Sequence, residues 1–150
     1  MAGSDLTFKI DCDLEVFNKI SDEVDDVLRE VVADITNDLL ATAQARAPKD
    51  GGDLEQSGSM TVNPTKKEGN VSFYAARRGY NYARKMDQDT YNLGEMSKRK
   101  SAAKSKFYTG SLPVGTGFLS DTADKFNKNA KSGYVKYIDE QIKKVIDKYA

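Results

Sequence analysis

The chain has 150 residues, 39% of them hydrophobic and 31% charged, and its 23 basic and 23 acidic residues leave no formal net charge. A chain of this size can bury a substantial core, and we expect one domain over residues 1–150. Because the net charge is zero, no global field recruits nucleic acid or a membrane surface.

Histidine and cysteine usage narrows the possible chemistry. The chain contains no histidine and one cysteine, Cys12. Ser–His and Cys–His dyads and histidine metal sites are therefore excluded. A lone thiol cannot form an internal disulfide, which favours a reducing, intracellular place of synthesis. No apolar stretch has the length of a signal-peptide core or of a membrane span. We expect no catalysis, metal, cofactor or membrane partner.

The first predicted elements are a strand over Leu6–Cys12 and a long helix over Leu14–Ala47. Apolar and polar residues alternate in the strand, so Cys12 is most simply an inward-facing small residue. Apolar residues recur in steps of three and four along the helix, which places them on one face. At about 1.5 Å per residue the helix would be roughly 50 Å long. We therefore expect it to overhang the domain or to lie against a neighbouring subunit.

The outer face of this helix carries a run of acidic residues. Their spacing lacks the loop geometry that calcium requires, so we interpret them as a solvated or subunit-facing stripe. The candidate acidic contact face comprises Asp22, Asp26, Glu30 and Asp34.

Ala47-Pro48 and the two glycines Gly51 and Gly52 predict the end of the helix and a turn. Three predicted strands follow, over Leu54–Val62, Val71–Ala76 and Tyr80–Met86. A hairpin turn at Lys66–Asn70 joins the first two of them. The sequence therefore predicts a small antiparallel sheet after the long helix.

Two features characterise the end of the chain. Asn92–Gly117 is the least regular part, and a loop of this length is usually functional or mobile. Ser120 begins a helical pattern that extends to Tyr149, within which Gly133 marks a bend or a break. Together these elements predict an α+β fold, with a long N-terminal helix and a C-terminal helix packed on the sheet and a long mobile loop over about residues 92–117.

The charges are distributed unevenly along the chain. Residues 1–60 hold 14 acids and 5 bases, whereas residues 61–117 hold 4 acids and 11 bases. Two regions of opposite sign favour self-association through charge complementarity. The candidate subunit-contact or channel-facing bases are Arg77, Arg78, Arg84, Lys85, Lys98, Arg99, Lys100, Lys104 and Lys106.

Several of these bases alternate with tyrosines, namely Tyr74, Tyr80 and Tyr82. Such a pattern can bind single-stranded nucleic acid through stacking and charge. It equally describes core aromatics with solvated cationic neighbours, which is the interpretation we favour.

The junction after the first helix resembles the tail-completion (neck) family of long-tailed bacteriophages. That family typically shows Ala-Pro-x-Asp-Thr-Gly-x-Leu-x-x-Ser. This chain has Ala47-Pro48-Lys49-Asp50-Gly51-Gly52-Asp53-Leu54-Glu55-Gln56-Ser57, with Gly51 in place of Thr.

Two later stretches carry the same resemblance. Tyr80–Asp87 is similar to the family's Tyr-Ala strand that leads to an acidic residue, although the family's following Glu-x-Gly-Thr is absent. Gly117-Phe118-Leu119, with Ala123 four residues later, resembles the Pro-Phe-Leu-x-x-Ala start of the last helix, with Gly117 in place of Pro. The resemblance spans about residues 6 to 146.

The resemblance implies a structural virion protein, assembled in the host cytoplasm, and carries over no catalytic or cofactor residue. It implies a sixfold or twelvefold ring at the neck, between the head-side connector and the tail-terminator or tail-tube proteins, with possible non-specific contact with passing DNA. A tail-terminator ring is the alternative. A nucleic-acid-binding module that uses the basic residues 77–106 is a more distant alternative, because the acidic helix would repel the same polymer.

Overall fold

The computed structural model describes residues 6–11, 22–49, 52–77, 79–128 and 134–148. The strands are β1 (Leu6–Asp11), β2 (Gly58–Asn63), β3 (Glu68–Phe73), β4 (Ala76–Arg77) and β5 (Tyr80–Asn81). The helices are α1 (Asp22–Arg46), α2 (Asp53–Gln56), α3 (Tyr82–Gln88), α4 (Glu95–Lys98), α5 (Ser120–Lys128) and α6 (Tyr134–Lys148). The predicted α+β class is confirmed.

The main sheet has three antiparallel strands in the order β1-β3-β2. β1 and β2 pair with the same six positions of β3, since Leu6 and Gly58 both lie opposite Phe73. β4 and β5 form a separate two-stranded ladder. The β2–β3 turn is closed by Asn63, whose side-chain oxygen accepts from the backbone N–H groups of Thr65 and Lys66 at 3.1 Å. Asparagine favours this local turn bond, and it fixes where the hairpin reverses.

The core lies between one face of this sheet and α1. The predicted apolar face of α1 is buried at Leu28, Ile35 and Leu39, each at most 1% exposed. Phe73 of β3 packs edge-on against Phe118, with ring centroids 5.1 Å apart. Edge-to-face aromatic pairs add to the stabilisation that burial provides. The helical periodicity of the sequence thus correctly identified the buried side of α1.

The close contact of α1 with β3 depends on Gly69. A Cβ atom at Gly69 would lie 1.7 Å from the hydroxyl oxygen of Thr36 on α1, a distance that no side chain tolerates. Thr36 is fully buried, and its hydroxyl donates to the carbonyl of Val32 at 2.7 Å. Glycine is therefore required here because the helix backbone approaches the sheet closely.

α6 runs antiparallel to α1. The Tyr137 hydroxyl donates to Asp34 at 3.0 Å near one end, and the Lys148 amine lies 2.8 Å from a Glu23 carboxylate oxygen at the other. Phe107, from the irregular segment before α5, packs against Tyr137 with ring centroids 5.0 Å apart. The C-terminal helices and this segment therefore share a core with α1.

Arg46, the last residue of α1, joins three parts of the chain although it is only 2% exposed. Its Nε donates to the carbonyl of Pro113 at 2.9 Å. Its Nη1 donates to the Thr122 hydroxyl at 2.8 Å and to Asp121 at 2.9 Å. Its own carbonyl accepts from the N–H of Gly115 at 2.9 Å. A buried guanidinium requires such partners, and here they secure the segment before α5 to the end of α1.

Two predicted strands are wrong in part. Residues Asp53–Gln56 form α2, so the strand predicted from Leu54 begins only at Gly58. Tyr80–Met86 is a two-residue strand followed by α3, because the side-chain oxygen of Asn81 accepts from the N–H of Ala83 at 3.0 Å and caps a helix. Local capping chemistry overrides the extended preference of tyrosine in this stretch.

The hairpin turn predicted at Lys66–Asn70 is also wrong in part, because residues 68–70 already belong to β3, and the strand predicted over Val71–Ala76 begins earlier and ends at Phe73. The first strand and the long helix agree with the structure where it describes them. The predicted segment 92–117 is mostly irregular but contains α4, and the Ala103 N–H donates to the Leu112 carbonyl at 2.9 Å. The C-terminal pattern is divided into α5 and α6. Residues 129–133, including Gly133, lie outside the described residues, as do residues 12–21 with Cys12.

Gly52 provides a test of the turn after α1. Its φ of +92° is strained for any other residue, and a Cβ there would meet nothing closer than 3.7 Å, so the cost of Gly52→Val is conformational. We expect a loss of about 1–2 kcal/mol in the free energy of unfolding, measured by urea titration. Gly94→Val is the control, since Gly94 has a φ of −72° and open space around it. Equal stability of the two variants would contradict the strain argument.

Arg46 provides a test of the buried anchor. Arg46→Met keeps the apolar volume but leaves the Pro113 carbonyl without its buried donor, so we expect a loss of about 2–4 kcal/mol in unfolding free energy. The control is Arg29→Met on the same helix, where the 46% exposed side chain pairs with Asp25 at 2.8 Å. That change should cost less than about 0.5 kcal/mol. Similar losses in the two variants would show that Arg46 acts only as a surface charge.

Candidate subunit-contact surfaces

The acidic stripe of α1 is exposed at Asp26, Glu30 and Asp34. The guanidinium of Arg29 lies 3.8 Å from a carboxylate oxygen of Asp26. The carboxylate of Asp34 accepts a hydrogen bond from the Tyr137 hydroxyl. Burial and the carboxylates of Asp34 and Glu30 raise the pKa of Tyr137, which stays a donor at neutral pH. The Asp22 side chain lies outside the described residues. The stripe therefore borders α6 at Asp34 and is exposed to solvent at Asp26 and Glu30.

The bases on α3 are also exposed. α3 buries Ala83 and Asp87, which leaves Arg84 and Lys85 on its solvent side. The side chain of Arg77, at the end of β4, and the whole of Arg78 lie outside the described residues.

Four bases between residues 98 and 106 reach solvent, namely Lys98, Arg99, Lys104 and Lys106. The amine of Lys98 lies 3.9 Å from a carboxylate oxygen of Glu95. The amine of Lys106 lies over the Tyr137 ring, 4.9 Å from its centroid, a cation–π geometry that holds the side chain against α6. These four residues are exposed to solvent.

Lys100 differs from the four exposed bases around it. Its amine donates to the carbonyls of Gln44 at 3.0 Å and Ala47 at 2.7 Å, and it lies 3.4 Å from a Glu55 oxygen. Burial lowers the pKa of Lys100, and the Glu55 carboxylate opposes that shift. A cation at a helix C-terminus satisfies the last free carbonyls and opposes the helix dipole. Lys100 therefore acts within the chain, as a cap on α1, which sequence spacing did not indicate.

Asp87 is a second residue whose role only the structure reveals. It is 1% exposed, and one carboxylate oxygen accepts from the N–H groups of Leu119 at 2.9 Å and Ser120 at 3.0 Å. Its backbone carbonyl accepts from Gly117 at 2.7 Å. A carboxylate at this position caps the first turn of α5 and favours its dipole. Asp87 is the acidic residue of the Tyr80–Asp87 stretch, where sequence indicated a resemblance but no role.

A groove lies between α3 and α4. It has a volume of about 370 Å³ and is lined by apolar side chains that include Tyr82, Met86 and Met96. A smaller hollow of about 230 Å³ shares Tyr82 and extends to Tyr74. Tyr74 is 43% exposed and Met96 is 45% exposed, so large apolar groups meet solvent around it. We call this feature the aromatic groove.

Among the described residues, no three His, Cys, Asp or Glu side chains gather in a way that would hold a metal ion. In the same part of the chain, no helix is both long enough and apolar enough to cross a membrane.

Comparison with protein families identifies a match to part of the chain. The model of the HK97-gp10-like family, described as "Bacteriophage HK97-gp10, putative tail-component", matches residues 14–84. No curated protein and no solved structure matches the chain. The matched residues include α1, the Ala47-Pro48 junction and the β2–β3 hairpin. Residues 14–84 thus carry the features of a phage tail-component family, which confirms the resemblance to phage neck and tail proteins.

Proposed function

We propose that the chain is a single-domain structural subunit of the phage neck that assembles with itself into a ring and joins the head-side connector to the tail. The observation that carries this proposal is the match of residues 14–84 to a phage tail-component family. That match supports a structural role in the tail or neck and a virion location rather than catalysis. Neighbouring connector and tail-terminator or tail-tube proteins are the expected partners.

The distribution of charge supports self-assembly. The acidic stripe of Asp26, Glu30 and Asp34 lies on α1, whereas the exposed bases lie on α3, at the end of α4 and in the segment after it. Exposed surfaces of opposite sign can pair between two subunits. Such a contact is head-to-tail, and it generates a ring if the rotation between subunits closes.

One of the candidate bases, Lys100, already binds within its own subunit. Lys100 is engaged by the end of α1, so it does not belong to the proposed contact set. The bases that we propose for the subunit contact or for a channel wall are Arg84, Lys85, Lys98, Arg99, Lys104 and Lys106. In a channel, the same charges would contact the phosphates of passing DNA without reading its sequence.

The alternative function is a tail-terminator ring, which also belongs to the phage tail. Both functions use a self-assembled ring, and they differ in the neighbours on the two sides of it. Antibody labelling of purified particles, viewed by electron microscopy, distinguishes them. Label on isolated heads would support the neck position, and label only on head-free tails would support the terminator.

Removal of the exposed bases tests the charge contact. We expect Lys98, Arg99, Lys104 and Lys106 changed together to Ser to shift the protein toward monomer, measured by sedimentation velocity at about 0.1 M salt. Raising the salt should weaken assembly of the unchanged protein, because exposed charges are screened. The control changes four other exposed lysines to Ser, namely Lys66, Lys136, Lys143 and Lys144, and should assemble normally.

The same variant separates the two roles of the bases. Normal assembly with altered DNA retention in particles would assign them to the channel wall. Normal assembly with fully infectious particles would show that the segment is only solvated. An unchanged protein that stays monomeric at every concentration and is absent from particles would overturn the proposed function.

A further inference from the structure

We propose that the outer edge of β2 is a self-association site, which pairs through its backbone with the outer edge of β1 in a second copy of the chain. This inference rests on the proposed ring and names the element that forms its hydrogen bonds. Exposed charges would steer the encounter, while the strand edges would fix its register.

The first observation is the position of β2 in the sheet. β2 bonds to β3 along Gly58–Asn63, and in the described part of the chain no strand lies on its other side. The backbone N–H and C=O groups on that side therefore have no ladder partner among the described residues. Unpaired edge groups of this kind form a template for another strand.

The second observation is the composition of the edge. Gly58–Asn63 contains no charged residue and no proline across six residues. Most proteins protect an exposed edge with a charge, a proline or a very short strand, and β2 has none of these along its length. The strand is also held in place, since Met60 and Val62 pack against the core and Ser59, Thr61 and Asn63 face solvent. It presents an uncharged edge that packing against the core holds in place.

The third observation identifies a second copy as the occupant. β1 is the opposite outer strand, has the same six-residue length, and pairs with the same residues of β3 in the same direction as β2. Pairing β2 of one subunit with β1 of the next would use both outer edges of every subunit. Pairing β2 with β2 would use one edge and stop at a dimer. Only the first arrangement repeats, as a ring requires.

The test places lysines on the edge and on the centre of the same sheet face. Ser59→Lys with Thr61→Lys adds two charges to the edge strand, which should oppose strand addition. The control is Asn70→Lys with Ser72→Lys on the central strand, because these residues lie directly opposite Thr61 and Ser59. Net charge is then equal in both variants. Thermal melts establish that both remain folded.

We expect the edge variant to assemble at least about tenfold more weakly than the central-strand variant in sedimentation velocity, since only the edge variant blocks pairing. Equal assembly of the two folded variants would overturn the edge proposal while leaving the ring intact. A monomeric unchanged protein would instead overturn the ring and the edge proposal that rests on it. The two failures are therefore distinguishable.

A disulfide experiment identifies the partner strand. In a Cys12→Ser background, Thr61→Cys and Lys9→Cys are made as separate proteins, since both positions lie opposite Asn70 of β3. We expect a cross-link when the two proteins are mixed under mild oxidation. A cross-link in the Thr61→Cys protein alone would show β2–β2 pairing and would overturn the assignment of β1. No cross-link in the mixture would overturn it as well.

Discussion

The rest of the structure depends on the burial of one guanidinium at the end of α1. Arg46 is 2% exposed, and the cost of removing its charge from water is offset by bonds to Pro113, Thr122 and Asp121. Partial burial favours the neutral form of Asp121, but hydrogen bonds from Lys125 and Arg46 outweigh it and hold the pKa of that carboxyl below its usual value. These partners come from the segment before α5 and from α5 itself. The Arg46 side chain thus joins the end of α1 to the segment before α5 and to the first turn of α5.

This anchor determines how the basic part of the chain is presented. Because the segment before α5 is secured at Pro113 and Gly115, and Lys100 caps α1 a few residues from Arg46, the stretch between them is held at both ends. Phe107 is buried near its middle, 1% exposed. The bases between these points, Lys104 and Lys106, are exposed, because the neighbouring residues Ala103 and Phe107 are buried in the core. The sequence describes this segment as a loop, but in the structure it is held at both ends and has a defined surface. A subunit contact would require such a defined surface.

The proposed assembly would combine two kinds of interaction with different roles. Charges on α1, on α3 and at and after the end of α4 would act over several ångströms and weaken with salt, so they would govern encounter and orientation. Backbone bonds along β2 would act only at contact and would set the register between subunits. A ring needs both, since each subunit must find the next one and then meet it at a repeatable angle. The aromatic groove between α3 and α4 lies outside this scheme.

The sequence by itself determined the class of the fold and the buried side of α1, because a helical period and a proline–glycine stop are local properties of the chain. It also determined the uneven distribution of charge. The local capping at Asn81 was readable in principle but was outweighed by the tyrosines beside it. Only the tertiary structure decided that Lys100 caps the end of α1, that Asp87 caps the start of α5, and that β2 is an edge strand of the sheet. Each of these depends on residues more than 30 positions apart or on strand order, which no local pattern encodes.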